Sequence, residues 1–131
     1  MLFAAHSGVR FLVLLFGVIT ILLAAYGLLG KRDYAPPMAK VAGAFAGLID
    51  LQILLGLFLL FSQTFGSYII GHLFMMIFAA VVAHGTAIVV KRRPLEQKSY
   101  GPHLVGAVLA LLLIAGGIMA IPGRGVFQST M

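Results

Sequence analysis

The sequence predicts an all-α integral membrane protein: a four-helix transmembrane bundle with both termini on the non-cytoplasmic side. Hydrophobic residues make up 62% of the 131-residue chain and charged residues 9%, whereas ordinary soluble domains carry about 25% charged residues. Too little polar surface remains to face water. The apolar residues fall into four runs, each near the ~20 residues that cross a hydrocarbon core about 30 Å thick. Basic residues gather in two of the short gaps between runs, which sets the orientation.

The first run, residues 2–30, ends at Lys31-Arg32-Asp33. It is too long and continuous for the apolar region of a signal peptide, and no small-residue cleavage site follows it, so it reads as a retained span. Tyr34-Ala-Pro-Pro37 then reads as a loop, because adjacent prolines remove donors and fix φ. The second span is expected over 39–61, followed by a short uncharged turn over 62–67. A third, over 68–90, stops at Lys91-Arg92-Arg93-Pro94, and a fourth, over 103–121, ends at Ile121-Pro122. Four spans use nearly all of the chain, so it forms a single domain.

Lys31, Arg32, Lys40, Lys91, Arg92, Arg93 and Lys98 fall in or beside the two loops on one side, and only Arg124 lies in an opposite-side segment. Positively charged loops stay in the cytoplasm. In a bacterium this places the chain in the cytoplasmic membrane as a multi-pass protein with both termini outside. The net charge of +6 is thus explained by topology, and no basic surface interleaved with aromatic residues is present to bind nucleic acid. Cysteine is absent, which excludes disulfides, thiolate metal sites and cysteine nucleophiles.

Gly43-Ala-Phe-Ala-Gly47 is a GxxxG pattern in the second span, and small residues recur at Ala79, Ala83 and Ala87 and at Gly106 and Ala110. Such spacing lets helices approach closely. It is expected to serve packing within the bundle rather than a special dimer role.

Polar groups at apolar depth are costly and mark function by default. The candidates are His6, Arg10, Asp50, Gln52, His72, His84 and His103. His6 opens the first span and His72 stands near the start of the third, at similar outer depth. His84 and His103 form a looser inner pair, offset by roughly 5–10 Å at 1.5 Å per residue. Two histidines from different helices at matched depth suit the iron of a b-type haem, gripped from both faces. The pattern therefore suggests one haem, or two stacked across the membrane, forming an electron path. Histidines at span ends equally suit headgroup hydrogen bonding or helix capping.

Arg10 shares a helix face with His6 one turn away. Its guanidinium suits a haem propionate, or it can snorkel to lipid phosphate. Asp50, near mid-membrane, needs a raised pKa or an ion partner; an Arg10–Asp50 pair is one solution, and a proton relay or a quinone contact, with Gln52 beside it, is another. Met75 and Met76 read as core residues more readily than as porphyrin neighbours.

Taken in order, His6-Ser-Gly-Val-Arg10, Asp50-Leu-Gln52-Ile-Leu-Leu-Gly56, Gly71-His72 with Met75-Met76, and Ile121-Pro-Gly-Arg124 resemble a group of small bacterial four-helix membrane proteins labelled cytochrome b-like. The resemblance covers nearly the whole chain through short motifs. It implies His6 and His72 as the leading haem ligands, with Arg10 and Arg124 on the same outer side. The chain departs from the group at Gly71, where an acidic residue is usual, and at Asp50, where a histidine is common.

The expected function is electron transfer by a membrane-embedded haem protein, as a subunit of a larger respiratory or photosynthetic complex exchanging electrons with a quinol or a partner subunit. The alternative is a cofactor-free accessory subunit that stabilises such a complex, as a homo- or hetero-oligomer. A small transporter using Asp50 and Arg10 is a third reading, but neither inverted repeats nor broken helices support it. No paired-carboxylate site, oriented nucleophile, phosphate loop or zinc motif is visible.

Overall fold

The computed structural model describes residues 2–62 and 69–121. They form α1 (Leu2–Leu29), α2 (Pro36–Ser62), α3 (Ile69–Arg92) and α4 (Gly101–Met119), with one 3₁₀ turn at Leu95–Gln97 before α4. All four α-helices are long and apolar enough to cross a membrane, and no strand occurs among the described residues. The chain is a multi-pass membrane bundle.

Local chemistry sets the helix ends. At the end of α1, Arg32 N–H bonds Gly27 O at 2.9 Å while Lys31 adopts φ 51°. This six-to-one closure, with a left-handed residue after the helix, satisfies an orphan carbonyl. The expected loop at Pro36 and Pro37 is instead the first turn of α2. Proline is tolerated there because the first helical N–H groups have no intrahelical acceptor and φ is already suitable. Pro102 plays the same part in the first turn of α4. The fourth helix accordingly begins at Gly101, two residues before the expected start.

α1 packs beside α2 and α4, and α3 beside the same two, so α1 and α3 face each other across the bundle axis. The core contains Val13, Phe45, Ile49, Met76, Ala110 and Ile114. Meanwhile Leu22, Phe58, Phe74, Val81 and Leu112 are more than half exposed. Large apolar side chains on the outside are favourable against lipid, and the helices are apolar enough to sit there.

Small residues produce the α3–α4 contact. Ala79, Ala83 and Ala110 are buried, and a Cβ on Gly106 would collide with Thr86. The GxxxG pattern behaves differently from expectation. Gly43 and Gly47 are exposed, and a Cβ on either would meet no atom of a described residue within 4 Å. The helix register that buries Phe45, Ala46 and Ile49 in the core turns these two glycines outward.

Candidate functional site

The structure sorts the intramembrane polar residues into three separate places. The first lies in the half of the bundle where α1 and α3 begin, where His6 from α1 and His72 from α3 meet across the axis. Their ring centroids are 6.4 Å apart and the rings are nearly perpendicular, at 84°. Arg10, Gln52, Ile53, Met76 and Ile118 line the same pocket, a void of about 30 Å³.

Each imidazole is placed by a neighbouring helix. His72 Nδ1–H donates to Gly117 O on α4 at 2.9 Å. A carbonyl only accepts, so this bond fixes the tautomer and leaves Nε2 with its lone pair. Gly117 can approach because it lacks a Cβ, which would collide with Met75 Cβ at 2.9 Å and with the Met76 side chain. On the other side, Gln52 Nε2–H donates to the backbone carbonyl of His6 at 2.6 Å, tying α2 to α1. The His6 ring lies over Gly56, where a Cβ would stand 3.2 Å from Cε1. His6 Nδ1 and Gln52 Oε1 are buried without a hydrogen bond to a described residue.

Arg10 is 8% exposed. It lines the His6 pocket and sets its guanidinium carbon 4.6 Å from the Phe11 ring centroid. Its burial separates it from the snorkelling alternative. Met76 belongs to the core cluster, as its residue type suggests.

The second place is the α2–α3 seam. Asp50 pairs there with His84, whose Nε2 lies 2.7 and 2.9 Å from the two carboxylate oxygens. His84 thus takes the position considered for Arg10 as the partner of Asp50. Both side chains remain about half exposed, at 44% for His84 and 53% for Asp50.

The third place is the basic end. His103 is 2% exposed, shares a 2.8 Å hydrogen bond between its Nε2 and the Tyr34 hydroxyl, and stacks on that ring with centroids 5.7 Å apart. Burial, reinforced by Tyr100, pushes the Tyr34 hydroxyl above its ordinary pKa. Tyr100 completes the latch: its hydroxyl accepts from Ala35 N–H at 3.1 Å and donates to Asp33 O at 3.0 Å. His84 and His103 therefore have different partners, Asp50 and Tyr34, and do not face each other as an inner pair.

Sequence reasoning overlooked Tyr34, Tyr100 and the Gly117 carbonyl. A glycine carbonyl has no side-chain signature, whereas two tyrosines flanking the basic loops were a readable signal. Arg124 lies outside the described residues. No group of three or more histidine, cysteine or acidic side chains suited to a metal ion occurs among the described residues; a bis-histidine site contains only two. Family models, curated proteins and solved structures compared with the chain gave no match.

Proposed function

We propose that this chain is a bacterial cytoplasmic-membrane electron-transfer subunit that holds one b-type haem between His6 and His72, within a larger respiratory or photosynthetic complex. The observation that carries the reading is the meeting of these two imidazoles across the bundle axis. Two imidazoles on facing helices with centroids 6.4 Å apart are the residues that would hold the iron of such a haem. A backbone carbonyl on Nδ1 is also the usual outer partner of a metal-bound histidine, because it fixes the ring and raises the basicity of Nε2. His72 has that partner in Gly117.

The donors fit an iron, whereas the present void of about 30 Å³ matches roughly one water. A macrocycle requires lining side chains such as Ile53 and Ile118 to swing aside. When bound, a b-type haem supplies one-electron redox chemistry. The chain itself would hold the ligands in place, keep the site apolar, and offer Arg10 as the counter-charge to a propionate. The resemblance to cytochrome b-like proteins agrees with this reading, and a quinol is the membrane-soluble electron donor consistent with it. His84 and His103, each engaged elsewhere, are not ligands in this proposal.

The small void favours a second reading, in which the chain is a cofactor-free accessory subunit and the histidines join α1 to α3. A reduced-minus-oxidised absorption spectrum of protein purified from its native membrane, with haem supply intact, separates the two. A b-type band lost in His6→Ala and in His72→Ala but kept in His84→Ala supports the haem site. Absence of the band from the unaltered protein supports the accessory role.

A further inference from the structure

We propose that the α2–α3 seam is an interface between two copies of this chain, related by a two-fold axis along the membrane normal, with Asp50 of each copy facing His84 of the other. The carrying observation is the outward-facing Asp50–His84 pair. Asp50 stands one residue from the midpoint of α2, and His84 lies within four residues of the midpoint of α3. At that depth the pair would meet hydrocarbon, where ionisable side chains are strongly disfavoured and normally face a protein interior or an aqueous cavity. Yet about half of each side chain remains uncovered.

The pair has unused capacity on both sides. His84 bonds Asp50 through Nε2, and its Nδ1 makes no hydrogen bond to a described residue. A carboxylate accepts more bonds than the single His84 Nε2–H that the two oxygens of Asp50 share. Because Asp50 and His84 lie on opposite walls of one seam, a two-fold axis along that seam sets the acidic group of each copy against the basic group of the other. This charge pattern is self-complementary, as an isologous contact requires. It selects a second copy over an arbitrary subunit.

The surrounding surface permits that approach. Gly43, Gly47, Asp50, Leu54 and Phe58 form one exposed face of α2, since their spacing follows the helical repeat. Gly43 and Gly47 on α2, and Gly85 on α3, have open space where a Cβ would stand. Close helix approach through small residues is the ordinary mode of association in membranes. Here that capacity is unused within the chain. Counted from the Asp50–His84 contact in antiparallel register, Gly47 lies level with Ile88 to within one residue.

The chain has no cysteine, so introduced thiols report contacts without background. Differently tagged Gly47→Cys and Ile88→Cys chains would be co-expressed and treated in native membranes with a short bis-maleimide. A mixed dimer band is expected, with none above background for Leu112→Cys on the exposed face of α4. Equal cross-linking at Leu112→Cys, or no mixed dimer, overturns the proposal. Gly47→Leu provides the second test, because its side chain enters open space in the single chain. Unchanged thermal stability of the monomer with a several-fold loss of dimer is expected, measured with cross-linking between Leu54→Cys and Val81→Cys chains. A dimer yield unaffected by Gly47→Leu overturns the interface.

Discussion

His72 Nδ1–H donates to the carbonyl of Gly117 at 2.9 Å, and this contact depends on a helix surface from which the side chain has been removed. A methyl group at Gly117 would stand 2.9 Å from Met75 Cβ and also meet the end of Met76. The Met76 end can swing, but Met75 Cβ is fixed to the backbone. Gly117→Ala is therefore expected to destabilise the bundle by about 1–3 kcal/mol, the usual cost of overpacking. Thermal unfolding in mild detergent measures it. Gly8→Ala supplies the opposite sign: Gly8 is helical with no atom of a described residue within 4 Å of its Cβ position, so the gain in helix propensity should stabilise by about 0.5–1 kcal/mol.

Gln52 illustrates why a bond at apolar depth need not be strongly stabilising. Its Nε2–H reaches the His6 carbonyl at 2.6 Å, but its Oε1 is buried without a partner among the described residues. Gln52→Leu removes the favourable bond and the unsatisfied oxygen together. Side-chain hydrogen bonds within membranes average about 0.6 kcal/mol, so the substitution should change stability by less than about 1 kcal/mol in the same assay. A larger loss would show that Oε1 has a partner in the folded protein.

The four spans were legible because burial in lipid demands long apolar runs, a constraint written directly in composition. Depth was legible too: His6 and His72 meet because residue rise along a straight helix is nearly constant. Azimuth was not. Whether a residue faces the axis, a seam or the outside depends on helix rotation, and these spans are apolar on nearly every face. That is why Gly43 and Gly47 could be read as internal packing and why Asp50 could be assigned to Arg10. His84 and His103 fall in the half of the bundle nearer the basic loops, but one turns to the α2–α3 seam near mid-helix and the other to the Tyr34 latch at the basic end.

That latch should be more sensitive than its position near a loop suggests. His103 is almost fully buried, and Tyr34 supplies the hydrogen bond to its Nε2. Tyr34→Phe keeps the stacked ring and deletes the hydroxyl, stranding a buried ring nitrogen. A loss of about 1–3 kcal/mol is expected from an unsatisfied buried polar group. Tyr100→Phe should cost a similar amount, since its hydroxyl serves Ala35 N–H and Asp33 O together. The two changes touch one network, so the double variant should lose less than the sum of the single losses. Detergent unfolding of the three variants checks that coupling.

Orientation offers a prediction independent of any cofactor. Lys31, Arg32 and Lys40 lie at or beside the α1–α2 connection, while Lys91, Arg92, Arg93 and Lys98 lie at or beside the α3–α4 connection. Because helices α1 to α4 run in four consecutive spans, both groups fall on one side and the two termini on the other. Basic residues close to span ends govern which side remains cytoplasmic. Alkaline phosphatase fused after residue 131 should therefore be active in a bacterial host, whereas a fusion at residue 96 should be inactive. Replacing Lys91, Arg92 and Arg93 by Gln should weaken this bias without reversing it, because the basic residues beside the first connection still hold α1 and α2. Adding Lys31→Gln, Arg32→Gln and Lys40→Gln removes that hold as well, and a mixed or inverted population should then appear as phosphatase activity at position 96.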